Sequence, residues 1–335
     1  MATIYDVAQK AGVSPATVSR VLNNRWGVNE KTALKVEQAI EQTDFKPRWN
    51  ATRTNAVGIV VAPSKEWLRS PYQAALLSGM TNTLFEGGYA VELINAAESD
   101  NNLSNIRRLM SSHKIQGVIV ITTHRSYNVS NQISSVKIPH VVVGPLPEDD
   151  RVQRVCVDDD AAGYKAMKHL WDMGHRRIGI ISGKLEDAGH LQRVEGAMRC
   201  FTEQGGHPAN LFNREALHPL VLGNDPICAE LLKPPVPVTA MIITNSSQAQ
   251  GVVKLCRRNR IRIPEDLSII SFEDDGELEK IDPELTVMQQ PSNAMGICAA
   301  QLIVAQIQGR KVPPMNSLDL QLVVRESTQG CNPSA

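Results

Sequence analysis

Cysteine, excess charge and long apolar runs are all scarce in this chain of 335 residues. Its six cysteines (Cys156, Cys200, Cys228, Cys256, Cys298, Cys331) are scattered, with no CxxC pair, which excludes a zinc ribbon and a dense disulfide scaffold. Lys plus Arg (35) equals Asp plus Glu (35), so the overall balance points to no particular partner. No apolar run approaches the ~18 residues of a transmembrane helix. The opening Met1-Ala-Thr-Ile-Tyr-Asp lacks the basic region and apolar stretch of a signal peptide. The expectation is a reduced, soluble, cytoplasmic protein. Repeats of 20–50 residues and low-complexity tracts are also missing.

With 42% apolar and 21% charged residues, the chain can bury a core and is not disordered. Its length suggests about two domains with a small appendage, at roughly 150 residues per domain. The zero net charge hides an asymmetry. Residues 1–55 carry eight basic residues against five acidic ones, a net of +3, and the remainder carries −3. A basic end on an acidic body fits a nucleic-acid-binding appendage.

Three short helices are predicted in that end. Ile4, Val7, Ala8 and Ala11 share one face of the first, which Gly12 stops. Ser14 is then a good N-cap and Pro15 a good first residue, because the donor that proline lacks is orphaned there in any case. The second helix runs to about Asn23 and buries Val18, Val21 and Leu22. Asn29 can cap a third from about Glu30 to Thr43, with Ala33, Val36 and Ile40 on one face, and Pro47 ends the region. From Val57 onward, β-branched runs alternate with amphipathic stretches. The runs are 57–62, 90–94, 117–121, 140–143, 177–181, 240–243 and 267–271. The helices lie over 72–87, 102–113, 160–173, 193–204, 246–258 and 295–307. Continuous apolar strands alternating with helices imply parallel sheets covered on both faces. The fold class is α/β, with two doubly wound lobes behind a small all-α headpiece.

Helix, Gly turn, Ser-Pro cap and second helix make a helix-turn-helix outline. The residues themselves, Thr3-Ile-Tyr-Asp-Val-Ala-Gln-Lys-Ala-Gly-Val-Ser-Pro-Ala-Thr-Val-Ser-Arg-Val-Leu-Asn23, closely resemble the DNA-binding headpiece of the lactose/galactose repressor (LacI/GalR) family. The likeness continues through Val28-Asn-Glu-Lys-Thr32 and Phe45-Lys-Pro47. It covers nearly the whole chain, by way of Arg53–Gly58, Val157–Asp160, Gly174–Ile178, Arg193–Gly196, Ile263–Ile270, Asp282–Thr286 and Leu322–Ser327. The resemblance implies a headpiece over 1–46, a hinge over 47–57, and two periplasmic-binding-protein-like lobes over 58–328. The lobe boundaries fall near 158 and 288, and residues 329–335 form a tail.

By position, the resemblance has Ser14, Pro15, Ala16, Thr17, Ser19 and Arg20 begin or line the recognition helix. Pro15 and Ala16 offer base edges only apolar contact, while Arg20 can pair bidentately with guanine or hold phosphate. Thr3, Tyr5, Ser14, Asn23, Lys31 and Thr32 read as phosphate contacts that fix register; for Tyr5 and Asn23 the alternative is a packing role. The hinge Arg48, Trp49, Asn50 and Ala51 departs from the family pattern. A short helix that wedges a leucine into the minor groove usually follows this proline. Here about five residues are missing, roughly one and a half turns, and Trp49 is the only large apolar residue nearby. The expectation is a tethered headpiece that bends DNA little.

For an effector, the resemblance implies Arg193 as the grip on a hydroxyl or carboxylate, with Asn245 and Glu273 helping and Tyr72 as a stacking wall. Gly144, Ser246 and Glu273 depart from the sugar-binding pattern, each replacing an aspartate. The expected partners are a pseudo-palindromic DNA operator, a small-molecule effector of carbohydrate or sugar-phosphate type, and a second copy in a homodimer. The tail lacks an apolar heptad that would build a tetramer.

Enzyme readings find no support. The first body strand lacks the glycines of a dinucleotide or phosphate loop. His169 and His175 bracket a helix end and read as capping residues. Asp158-Asp-Asp160 reads as a strand end and helix N-terminus, where the dipole favours carboxylates. No cofactor, metal or catalytic residue is expected. The function read from the chain is a ligand-controlled transcriptional repressor. The alternative is a ligand-sensing module whose short hinge has weakened or lost operator binding.

Overall fold

The computed structural model describes residues 3–22, 28–43, 45, 55–61, 70–95, 115–122, 138–144, 152–215, 231, 238–272, 276, 278–311 and 315–331. Asn23, the hinge residues 48–51, the expected helix over 102–113 and Glu273 lie outside them, as do residues 332–335. The chain divides into two units, Met1–Thr54 and Asn55–Ala335.

The first unit contains α1 (Ile4–Ala11), α2 (Pro15–Leu22) and α3 (Glu30–Thr43), as the capping signals require. Thr3 and Asp6 form a reciprocal capping box: Thr3 N donates to Asp6 Oδ2 at 2.6 Å and Asp6 N to Thr3 Oγ1 at 3.4 Å. The hydrogen bonds from the Thr3 backbone and hydroxyl hold the Asp6 carboxyl below its ordinary pKa. Gly12 ends α1 in the left-handed region at φ 66, where a Cβ would be strained. The Ser14 hydroxyl accepts from Thr17 N at 3.1 Å, and Asn29 Oδ1 from Thr32 N at 2.9 Å. Val7, Ala8, Val18, Val36 and Ala39 close a small core, with Ile4, Val21 and Ile40 against it.

The second unit holds two six-stranded sheets. In the first, β1 (Ala56–Val61), β2 (Ala90–Asn95), β3 (Ile115–Ile121), β4 (His140–Val143), β5 (Arg154–Val157) and β11 (Met315–Leu318) run in the order β11-β5-β4-β3-β1-β2. In the second, β6 (Ile178–Ser182), β7 (Leu211–Glu215), β8 (Ala240–Ile243), β9 (Ser268–Phe272), β10 (Thr286–Gln289) and β12 (Gln321–Val323) run β12-β10-β9-β8-β6-β7. All these pairings are parallel except β10 with β12. The seven expected strands are all present. Of the other five, β5 ends at the strand end expected before Asp158 and β12 overlaps the closing strand that the resemblance implies over Leu322–Ser327, while β7, β10 and β11 are unexpected; all five lie at sheet edges or next to one. There a strand is shorter and less completely buried, so its sequence carries a weaker apolar signal.

The chain passes between the sheets three times over very short links. Only Asp158 separates β5 from α5 (Asp159–Asp172), and Gln290-Pro291 separates β10 from α8 (Ser292–Ile307). Asp319-Leu320 separates β11 from β12. Each sheet packs one returning helix against one of its own. The pairs are α4 (Pro71–Glu86) with α8, and α5 with α6 (Ala188–Glu203), while α7 (Ser246–Arg258) covers β8 and β9. The helix pairs approach to backbone contact through reciprocal glycines. A Cβ at Gly163 would stand 2.0 Å from Arg193 O, and one at Gly196 1.9 Å from Asp160 O. In the other pair, a Cβ at Gly296 would stand 2.1 Å from Leu76 O and one at Gly79 2.2 Å from Asn293 O. These glycines hold equivalent positions in their helices, so the two halves of the unit are built on one plan. Helix α6 starts before the expected Arg193, because Asp187 caps it by accepting from Gly189 N at 3.0 Å.

Candidate functional site: a cleft between the two sheets

A cleft opens at the carboxyl ends of both sheets, where ligands bind in parallel α/β folds. Tyr72, Thr122, Gly144, Val157, Asp159, Asp187, Gly189, His190, Arg193, Gln290 and Met295 line it. The first turns of α4, α5, α6 and α8 contribute Tyr72, Asp159, His190 and Met295. The positive ends of four helix dipoles therefore converge there. Two carboxylates offset them: the nearest oxygens of Asp159 and Asp187 both lie 3.4 Å from a Cβ built at Gly189.

Arg193 and Asp159 form the electrostatic centre, 4% and 3% exposed. Arg193 Nε donates to Asp159 Oδ1 at 2.7 Å, Nη1 to Thr244 O at 2.6 Å and Nη2 to Gln290 Oε1 at 3.2 Å. Its guanidinium also lies 4.9 Å from the Phe272 ring centre. Each partner neutralises the other, which is what allows both charges to be buried.

Thr244 positions His190. The buried Thr244 hydroxyl accepts from Gly183 N at 3.0 Å and lies 2.8 Å from His190 Nδ1, so it ties the imidazole to the end of the sheet.

The structure brings two of the expected effector residues together, Tyr72 from α4 and Arg193 from α6. Asn245 is not among the lining residues: it caps α7, accepting from Gln248 N at 2.8 Å. Among lining residues, sequence reading gave Asp187, His190, Gln290, Met295 and Thr122 no role, and it took Asp159 only as a dipole partner. Their common signal is position, since each stands just past a parallel strand or in the first turns of the helix after it.

In the headpiece, Thr3, Ser14, Ala16, Arg20 and Lys31 are exposed, and Pro15, Thr17, Ser19 and Thr32 are half-buried. Tyr5 is 70% exposed, which rules out the alternative that it packs in the headpiece core.

The backbone of His175 does help to cap the helix end, its N donating to Leu170 O at 3.1 Å, but neither its imidazole nor that of His169 caps it. The two side chains hold the C-terminal segment instead. His169 Nε2 lies 3.2 Å from Thr328 Oγ1, and His175 sits between Thr239 Oγ1 and Gln329 O, 3.0 Å from each. Burial holds both imidazoles below their ordinary pKa. With Cys331 N donating to Met173 O at 2.7 Å, the body extends past 328 at least to Cys331. Among the described residues, no group of His, Cys, Asp and Glu could hold a metal ion. No helix among them is long and apolar enough to cross a membrane.

Residues 3–48 match the bacterial regulatory proteins of the lacI family, and residues 167–328 match a periplasmic binding protein-like domain. The chain is 30% identical over 343 residues to the HTH-type transcriptional regulator DegA of Bacillus subtilis, covering 98% of this chain and 99% of DegA. It is 29% identical over 322 residues to the HTH-type transcriptional repressor PurR of Vibrio cholerae, covering 93% of each. Among solved structures, a complex of the transcriptional regulator CelR with cellobiose superposes with a TM-score of 0.72 at 26% identity, covering 98% of this chain and 100% of that one. The chain belongs to the LacI family of bacterial transcriptional regulators: a DNA-binding repressor that joins a lacI-type helix-turn-helix to a periplasmic-binding-protein-like ligand domain.

Proposed function

We propose that this repressor acts in the cytoplasm as a homodimer on a pseudo-palindromic operator, and that an uncharged polyhydroxylated effector in the cleft controls its affinity for DNA. The meeting of Tyr72 and Arg193, from helices on different sheets, carries the effector reading. A ligand touching both senses how the sheets are set relative to each other. The cellobiose bound by CelR supports a sugar. The charge balance favours an uncharged one over a sugar phosphate, because Asp159 already neutralises Arg193 and Asp187 adds a carboxylate. Asn245 and Glu273 remain proposed helpers. The chain works by binding and not by catalysis.

On DNA, Pro15, Ala16, Thr17, Ser19 and Arg20 face base edges. Thr3, Tyr5, Ser14, Asn23, Lys31 and Thr32 hold phosphates. The short hinge at Arg48, Trp49, Asn50 and Ala51 leaves the duplex almost straight. Duplexes selected by the full chain from a random pool test the whole reading. The selected sites should be two-fold symmetric, bind more weakly as salt rises, and show little bend in a circular-permutation gel shift. A neutral sugar should change their affinity. Selection of no symmetric site supports the ligand-sensing alternative. A sharp central kink that disappears in Trp49→Ala refutes the straight-duplex reading.

A further inference from the structure

Arg193 lines the cleft and is also bonded to two of the three links between the sheets. Through Nε it holds Asp159, the first residue after the β5–α5 link. Through Nη2 it holds Gln290, inside the two-residue β10–α8 link. Nη1 anchors it to the end of β8 through Thr244 O. One side chain therefore touches both the ligand cavity and two of the three places where the chain must bend if the sheets reorient.

The two link bonds are unequal. Arg193–Asp159 is a 2.7 Å ion pair between fully buried partners, and breaking it would strand a buried charge. Arg193–Gln290 is a 3.2 Å bond to a neutral amide. The Gln290 Nε2 has the Met295 sulphur at 3.7 Å, a weak acceptor that scarcely restrains it. Of the two, this is the bond an incoming hydroxyl takes over at the lower cost.

We propose that Gln290 is a hinge latch, a positioning residue through which cleft occupancy reaches the β10–α8 link. In the arrangement seen here, Arg193 holds Gln290 and so fixes the link. A ligand oxygen that takes over the Arg193 Nη2–H bond now made to Gln290 Oε1 releases the amide, and the link is free to change its angle. This rests on the reading that the effector binds in the cleft.

Hydrogen exchange read by mass spectrometry on the full chain tests the latch without any ligand. Amides across 289–296 should exchange roughly three- to tenfold faster in Gln290→Ala, the worth of one net hydrogen bond. They should exchange more slowly in Gln290→Glu, where a carboxylate tightens the bond to Arg193. A side chain that merely fills space would give faster exchange in both variants, and that result, or no change in either, overturns the proposal.

Calorimetry with glucose, ribose and cellobiose adds a second arm. A probe that binds the wild type should bind Gln290→Ala at least as tightly, and Gln290→Glu roughly tenfold more weakly. Loss of binding in Gln290→Ala would make Gln290 a ligand contact and overturn the latch. If none of the three sugars binds the wild type, the sugar reading of the cleft fails, and the latch is decided by exchange alone.

Discussion

Gly163 lies directly against the backbone of Arg193: a Cβ at 163 would sit 2.0 Å from the Arg193 carbonyl oxygen. The helix that enters the second half of the fold and the helix that carries the buried arginine are thus in backbone contact. That contact places Asp159, four residues before Gly163, where it meets the Arg193 guanidinium.

Gly163→Ala should therefore push α5 and α6 apart and destabilise the chain by about 1–3 kcal/mol or more, the usual cost of overpacking. Gly296→Ala should do the same to α4 and α8, because its Cβ would lie 2.1 Å from Leu76 O. Urea midpoints measure both. A wild-type midpoint in either variant would show that the helices separate freely.

Asp159→Ala leaves Arg193 charged and buried, and should cost about 3–5 kcal/mol of unfolding free energy. The double variant Asp159→Ala/Arg193→Met removes both charges and should recover a good part of that loss. Equilibrium denaturation of the two variants beside the wild type decides the matter. A double variant that is less stable than Asp159→Ala would mean that Arg193 stabilises mainly through Thr244 O, Gln290 and Phe272.

His169 and His175 carry a pH dependence of known sign. Burial lowers both folded pKa values from the ordinary 6.5. Their contribution to stability is therefore complete above about pH 6.5 and is lost as pH falls through the lower folded values. The segment Thr328–Gln329 that they hold should loosen first. Stability measured from about pH 7 down to 5 should fall, with a smaller slope in His175→Gln, which does not titrate. An unchanged slope would assign the loss to carboxylates.

In the headpiece, Arg20→Ala should cost about 1–3 kcal/mol and relax the base preference at one position of each half-site. Lys31→Ala should weaken all sequences alike and lower the salt slope by about one. Fluorescence anisotropy on the selected duplex and its single-base variants separates the two effects. Uniform weakening by Arg20→Ala would move Arg20 to the phosphates.

The sequence by itself determined the headpiece and the α/β alternation, because both rest on local signals. Thr3, Ser14 and Asn29 are side chains whose hydrogen bonds close within three residues, and a buried parallel strand is apolar whatever lies next to it. The family followed from the same residues, since the recognition helix is one unbroken segment. The edge strands β7 and β11 stayed hidden, because a half-buried strand resembles a loop in its sequence, and β12 was reached only through the family resemblance. The inner surface of the cleft was legible only at Tyr72, Gly144 and Arg193. Asp159 and Arg193 are 34 residues apart, and Arg193 and Gln290 are 97 apart. Nothing local marks such pairs. Only tertiary structure, by bringing four helix N-termini and three short links to one place, decided which polar residues meet there and that Arg193 is bonded to two of the links.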